Sequence, residues 1–291
     1  ARRGGWANNV TNSKKNRGLS MNFEDLFSVS EKVVCVTGGG GGIGRGIART
    51  FVSGGAKVYI ASRSDLSDVA TEISEEGPGE CLALSVDMSS EESIKKLVSN
   101  LQELEGKLDV LVNNAALGGF IHALEKFPMD EWDQMMNANV RGPFLLVKEA
   151  LGLLATAADS DAHASVVNIV SVDGIRVAMD NDWAYGAGKA ALIQLTRQWA
   201  ATQGNNHGKE DGRNITFNAI APGPFPGMLD HYLETEEGRA AVGAVTVSGR
   251  VGDPIDIGAA CVYLSSRAGS YVTGSTIPVD GGLLVGRRAN S

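Results

Sequence analysis

Aromatic residues are scarce in this chain, at 6%. Stacking platforms for single-stranded nucleic acid depend on such rings, so that class of function is disfavoured. Cysteine is scarcer still. Cys35, Cys81 and Cys261 are widely spaced and odd in number, which indicates neither a disulfide framework nor a zinc knuckle. No stretch approaches the ~18 uninterrupted apolar residues of a membrane span. Acidic residues are missing from the beginning: residues 1–22 hold Arg2, Arg3, Lys14, Lys15 and Arg17, and the first acid is Glu24. The remainder carries 21 basic against 34 acidic residues, a body charge of −13. So acidic a body lacks the cations that displace counterions from phosphates, and no nucleic-acid partner is expected. The basic stretch, residues 1–26, reads as a disordered or extended segment, or as what remains of an Arg-rich, acid-poor targeting segment. A soluble protein of the cytoplasm or of an organelle matrix is expected, and composition does not choose between the two.

What the chain has in excess is glycine, 37 of 291 residues, against a usual share of about 7%. There is no collagen-like period, so these glycines serve tight turns and close backbone approaches. From Glu31 onward, short apolar runs alternate with longer helical patterns. The runs are Val33–Val36, Lys57–Ala61, Leu82–Val86, Val110–Val112, Val166–Val170, Ile215–Ile220 and Thr276–Val279. Helical spacing covers Ile43–Phe51, Glu91–Leu104, Leu145–Leu154 and Ala184–Ala201. Strands alternating with helices predict βαβ units and a parallel sheet covered on both faces. Right-handed crossovers turn these into a doubly wound, Rossmann-like α/β fold. No linker divides the chain, so one domain is predicted over residues 27–291. Two polar insertions, Thr156–Ala164 and Gln203–Arg213, read as surface loops.

The first run ends in Thr37-Gly38-Gly39-Gly40-Gly41-Gly42-Ile43-Gly44. A glycine motif that follows a strand and opens a helix is a dinucleotide cradle, because its backbone can approach a pyrophosphate at the helix N-terminus. An acid commonly ends the second strand and binds the ribose 2′-hydroxyl. Here Ser62 and Arg63 stand there instead. A guanidinium accepts a 2′-phosphate and gains nothing from a bare hydroxyl, so NADP(H) is predicted over NAD(H).

Further motifs give the chain a resemblance to the short-chain dehydrogenase/reductase superfamily, from about Phe27 to Gly282. Thr37, Gly38, Gly42, Ile43 and Gly44 resemble its cofactor loop. Asp87 follows the third strand, where that family contacts adenine. Asn113-Asn114-Ala115-Ala116 resembles its NNAG motif, with Ala116 replacing glycine. Asn139 in NANVRG, Ser171 in NIVSVDG, and Tyr185 and Lys189 in YGAGK match its catalytic Asn, Ser, Tyr and Lys in order and spacing. Pro222-Gly223 matches the turn beside the nicotinamide, although Gly227 stands where a threonine is common. Tyr271-Val-Thr-Gly274 and Val279-Asp280-Gly281-Gly282 complete the pattern. The resemblance implies a homotetramer or dimer packed through the helices that carry Asn139 and Tyr185.

The chemistry is coherent without the family name. Tyr185 and Lys189 are one helical turn apart and share a face. A nearby ammonium favours the phenolate and brings its pKa down from about 10 towards working pH. Such a Tyr can exchange a proton with a carbonyl oxygen as hydride moves at its carbon. Ser171 would hydrogen-bond that oxygen, and Asn139 would hold a water linking Lys189 to solvent. Other candidates are weaker. His122, His163, His207 and His231 lack metal-ligand spacing, Cys35 reads as core, Asp159-Ser160-Asp161 reads as a solvated loop, and Ser171 lacks the G-x-S-x-G elbow of a hydrolase.

For the substrate, a small-molecule carbonyl compound, the resemblance is to β-ketoacyl thioester reductases of the rhamnolipid-biosynthesis type. It rests on Pro222–Pro226 with Met228, the Leu151–Val166 connection and the GSTIPVDGG ending. Phe225 to about Val247 is expected to form a lid whose Met228, Leu229, Tyr232 and Leu233 line an acyl channel or only pack the lid. Two alternatives remain: a sugar or polyol dehydrogenase of the gluconate type, and a non-catalytic assembly subunit that kept the fold.

Overall fold

A computed structural model of the chain describes residues 22–158, 162–178, 181–204, 214–227 and 229–286. Seven strands form one parallel sheet in the order β3-β2-β1-β4-β5-β6-β7. They are β1 (Val33–Thr37), β2 (Lys57–Ser62), β3 (Glu80–Ser85), β4 (Val110–Asn113), β5 (Ala164–Ile169), β6 (Ile215–Pro222) and β7 (Thr276–Val279). β1, β4, β5 and β6 are buried along their whole length. This explains why they read as continuous apolar runs without alternation.

The side-chain period of two still sorts them between two cores. Cys35, Tyr59, Leu111, Val166 and Phe217 face one side. Helices α4 (Glu91–Leu104), α6 (Gly142–Ala157) and α7 (Trp183–Gln203) cover that side through Leu97, Leu101, Leu146 and Leu192. Val34, Val36, Val58, Ile60 and Val112 face the other. There α2 (Gly42–Ser53), α3 (Ser67–Ser74) and α10 (Pro254–Ser265) supply Ile47, Phe51, Ile73 and Ile257. Each fully buried side chain of this size contributes about 1.5–3 kcal/mol. The doubly wound α/β fold is therefore the one that the periodicity predicts.

Several elements differ from the sequence expectation. A one-turn helix, α1 (Phe23–Phe27), crosses the boundary placed at residue 26, because Asn22 Oδ1 accepts from Glu24 N and caps it. The Leu151–Val166 connection is shorter than expected. α6 runs to Ala157, with Leu153 and Leu154 buried, and β5 opens at Ala164. α3, α10 and α5 (Met129–Met136) are helices that the sequence reading does not single out. The remaining lid helices are α8 (Asp230–Leu233) and α9 (Glu236–Ala244). Met228, Asp159–Asp161 and most of Gln203–Arg213 lie outside the described residues.

The chain crosses from one half of the sheet to the other between β1 and β4. In an open α/β sheet the crevice beyond the strand ends at that crossing is where ligands bind. No described helix is long and apolar enough to cross a membrane.

Candidate active site

Thr37, the last residue of β1, is wholly buried and ties the crossing together. Its Oγ1 accepts from the N–H groups of Asn114 (3.0 Å) and Ala115 (3.1 Å). Asn114 Nδ2 returns hydrogen bonds to the carbonyls of Thr37 (2.9 Å) and Gly38 (3.1 Å). The β4 end thus braces the glycine loop from beneath. Gly44 is required by a close approach: a Cβ there would lie 2.1 Å from Gly38 O and 2.5 Å from Asn114 Nδ2. At Gly41, the residue before α2, the space is open and no side chain caps the helix. The first N–H groups of α2 are left to a ligand, and the partial positive charge at that terminus suits an anion. The residues present fit a dinucleotide pyrophosphate.

At the β2 end, Ser62 Oγ closes a turn with Ser64, donating to its carbonyl (3.0 Å) and accepting from its N–H (3.1 Å). Ser62 is therefore largely committed to the loop, and Arg63 is the exposed group beside it. Asp87 lies close by. The hydroxyl and N–H of Ser89 hold its carboxyl below the usual carboxylate range, and the charge of Arg63 adds to this.

The predicted catalytic residues meet beyond the ends of β4 and β5. Asn139 sits in a π-helical turn, Asn137–Arg141, between α5 and α6, the kind of bulge that often marks a functional site. It is 1% exposed, and both polar atoms of its side chain are hydrogen-bonded. Oδ1 accepts from Leu117 N (2.8 Å) and Nδ2 donates to Leu117 O (2.7 Å). The amide therefore clamps the loop after β4. The main-chain carbonyl of Asn139 is a further acceptor at this turn. The α-helical partner of that carbonyl would be the N–H of residue 143, which is Pro and has none.

Ser171 caps a turn, Val172–Gly174, its Oγ accepting from Asp173 N at 3.1 Å. Tyr185 and Lys189 lie in the first turns of α7. Lys189 is 3% exposed, donates from Nζ to Ile169 O (2.8 Å), and lies 5.4 Å from the Tyr185 ring centroid. Burial pushes its pKa down to about 8.

The sequence reading does not single out what holds these elements together. Gly174 packs on α7, where a Cβ would lie 2.8 Å from the Lys189 carbonyl carbon and 2.9 Å from Ala190 N. Only a residue without a side chain lets the Ser171 turn reach the helix of Tyr185. A buried ladder joins β4 to β5 and α7. Asn113 Nδ2 donates to Asn168 Oδ1, Asn168 Nδ2 to Thr196 Oγ1, and Thr196 Oγ1 to Leu192 O, each within 2.8 Å. Amides inside otherwise apolar strands were the available signal. At the start of α7, Asp182 Oδ2 accepts from Gly119 N (2.7 Å), and Trp183 Nε1 donates to His122 O (3.0 Å). With Asn139, they fasten the loop after β4 at three points.

All predicted cofactor residues except Thr37 line one cleft with Ser171, Tyr185 and Lys189; Thr37 and Asn139 brace it from behind. Its volume is about 1220 Å³, above the roughly 300–1,000 Å³ of a single-ligand pocket. It has room for a dinucleotide and a second ligand. From the lid, Leu229 and Tyr232 line it, while Leu233 faces away.

A doubly wound sheet with a glycine cradle at its crossing and a buried lysine against a half-buried tyrosine beside it defines a dinucleotide-dependent oxidoreductase. The family described as enoyl-(acyl carrier protein) reductase matches residues 39–284, and the chain belongs to the short-chain dehydrogenase/reductase superfamily. It is 39% identical over 260 residues to a rhamnolipids biosynthesis 3-oxoacyl-[acyl-carrier-protein] reductase of Pseudomonas aeruginosa, covering 88% of this chain and 97% of that protein. A 2-dehydro-3-deoxy-D-gluconate 5-dehydrogenase of Bacillus subtilis is 34% identical over 274 residues, covering 90% and 98%. Among solved structures, the Pseudomonas aeruginosa RhlG/NADP active-site complex superposes with a TM-score of 0.83 at 38% identity, covering 90% and 99%.

Proposed function

We propose that the chain is an NADP(H)-dependent reductase that converts a ketone, a 3-oxoacyl thioester, to the secondary alcohol. The observation that carries the reaction type is Lys189, a buried ammonium over the Tyr185 ring, in the same cleft as the glycine cradle. Bound nicotinamide supplies the hydride, and the protein supplies position and a proton. Tyr185 donates its hydroxyl proton to the substrate oxygen, and Ser171 Oγ donates a hydrogen bond to the same oxygen. Lys189 stabilises the negative charge left on Tyr185. Its ammonium is fixed by Ile169 O, so little reorganisation is needed as the charge forms. Asn139 and Asp182 keep the loop after β4 in place.

Arg63 is assigned the 2′-phosphate, which makes NADP(H) the cofactor; the complex of the Pseudomonas aeruginosa relative with NADP supports this. The acyl thioester is supported by the printed activity of the Pseudomonas aeruginosa relative and by the apolar lid wall of Leu229, Tyr232 and Val242. A gluconate-type ketone is the second reading, favoured by the Bacillus subtilis relative. Exposed Phe144 on α6, 6.1 Å from the Trp199 ring of α7, supports assembly into a dimer or tetramer through these helices.

The test is NADPH consumption with an acetoacetyl thioester, with Tyr185→Phe as control. Turnover lost in the control supports the reading. NADPH binding without thioester turnover moves the substrate to sugar acids, and failure to bind NADPH refutes the enzyme reading.

A further inference from the structure

Three basic side chains line the cleft without belonging to the lid: Arg63, Arg176 and Lys189. Lys189 is committed to Ile169 and Tyr185. Arg63 follows β2 and Arg176 follows β5, and β1 and β4 lie between those strands. At about 4.8 Å per strand, three steps separate the strands that carry them by roughly 14 Å across the cleft. One anion on the adenosine ribose cannot meet both. Arg63 is accounted for at the dinucleotide end, and Arg176 is not.

Arg176 is also positioned rather than loose. It continues the turn that Ser171 caps, with its N–H donating to Val172 O at 2.8 Å. Five residues of such a turn put it about 8 Å along the axis from Ser171. Asp173 Oδ1 lies 3.2 Å from its Nη2 and orients the guanidinium. Nε is buried and makes no hydrogen bond among the described residues. The side chain keeps 28% of its surface exposed. A guanidinium has five N–H donors, and one carboxylate does not satisfy them. A cleft-lining arginine with donors left over is built for an acceptor that arrives with the ligand.

We propose that Arg176 binds an anionic group carried by the substrate itself. The substrate is thus an anionic ketone, in which the anion is a phosphate on the thioester arm or a carboxylate on the carbon chain. This rests on the reductase reading for what reacts at Tyr185, but not for what binds at Arg176. Because Asp173 neutralises the local charge, recognition comes from directed N–H donors and requires a planar or forked acceptor.

The experiment compares matched ligands by calorimetry on wild type and Arg176→Gln, with NADP+ saturating the dinucleotide end. 4′-Phosphopantetheine against pantetheine isolates the phosphate, and gluconate against glucitol isolates the carboxylate. The expected result is that the anionic member of one pair binds at least tenfold more weakly to the variant, while its neutral partner and NADP+ are unchanged. Arg176→Lys should recover only part of the loss, because a point charge cannot replace the fork. The pair that responds names the source of the anion. Equal weakening of both members of a pair, weakened NADP+, or no dependence on Arg176 in either pair overturns the proposal. Binding that depends on Arg176 in a protein that reduces no ketone would keep this inference and reject the reductase reading.

Discussion

At the β1–β2 end of the cleft the wall is mostly backbone, and at the β5–β6 end it is mostly side chain. The glycine loop is fixed by main-chain approaches, with Gly44 against Gly38 O and the Asn114 amide against two carbonyls. The opposite end is fixed by side chains from separate elements: Asn139 on Leu117, Asp182 on Gly119, Trp183 on His122 and Lys189 on Ile169. Backbone walls tolerate few residue types and suit a ligand that never changes. Side-chain walls can be revised one residue at a time, which suits a variable substrate. The two ends should therefore fail in different ways when altered.

The largest separation is expected from Tyr185→Phe. Loss of a positioned proton donor costs about 10²–10⁴-fold in turnover. NADPH affinity, followed by nucleotide fluorescence, should stay within about twofold, since a single hydroxyl is removed from the far end. If affinity collapses with turnover, the two ends are one unit and the comparison breaks.

A sharper version uses one added methyl group at each end. Gly44→Ala drives a Cβ into a backbone oxygen that cannot move away. Overpacking of about 1–3 kcal/mol, borne by the bound state, converts to roughly five- to 150-fold weaker NADPH binding. Gly174→Ala pushes the Ser171 turn away from α7 by the same kind of clash. There the loss should appear in kcat, with NADPH affinity retained. Stopped-flow reduction and equilibrium binding on both variants separate the outcomes.

Arg63→Asp comes next. Replacing the guanidinium by a carboxylate removes a charge-assisted contact of about 1.5–3 kcal/mol, so NADPH affinity should fall by about tenfold or more while NADH affinity changes little. Equal affinities before and after the change would remove Arg63 from the phosphate site.

Legibility in the sequence divides along the same line. The sheet and the glycine cradle were readable because apolar runs and glycine clusters are local signals, and strand order follows from crossover rules. Ser171, Tyr185 and Lys189 were readable as a spaced set, and all three line the cleft. Asn139 was readable as a position, but the clamp that its amide forms was not, since Leu117 lies 22 residues away in the chain. Gly174, Asp182 and Trp183 act through contacts with segments distant in sequence, and nothing local marks them.

Lys189 adds a pH test of the side-chain end. Its ordinary pKa of 10.5 falls to about 8 on burial. Between those values the unfolded chain binds more protons than the folded one, so this group's contribution to stability rises with pH across that window. Below about 8 the full cost of burying the ammonium is present. Urea midpoints should show that slope in wild type relative to Lys189→Met. The rate of ketone reduction should fall as pH passes above about 8, because the ammonium that stabilises Tyr185 is lost.

The smallest effect is expected from Asp182→Asn. The carboxylate is 5% exposed and accepts from Gly119 N, at a loop position whose φ of 89° already favours glycine. An amide oxygen can still accept that hydrogen bond, so the loop should keep its path while losing only the charge assistance. Because Asp182 stands at the start of α7, the change also removes a negative charge from the positive end of that helix, worth about 0.3–1 kcal/mol. The predicted outcome is a KM for the ketone raised a few-fold at nearly unchanged kcat, with NADPH affinity untouched. Asp182→Ala leaves Gly119 N without its acceptor and should raise KM further, by roughly tenfold. A fall in kcat with constant KM in both variants would mean that Asp182 positions Tyr185 through the helix and not the substrate through the loop.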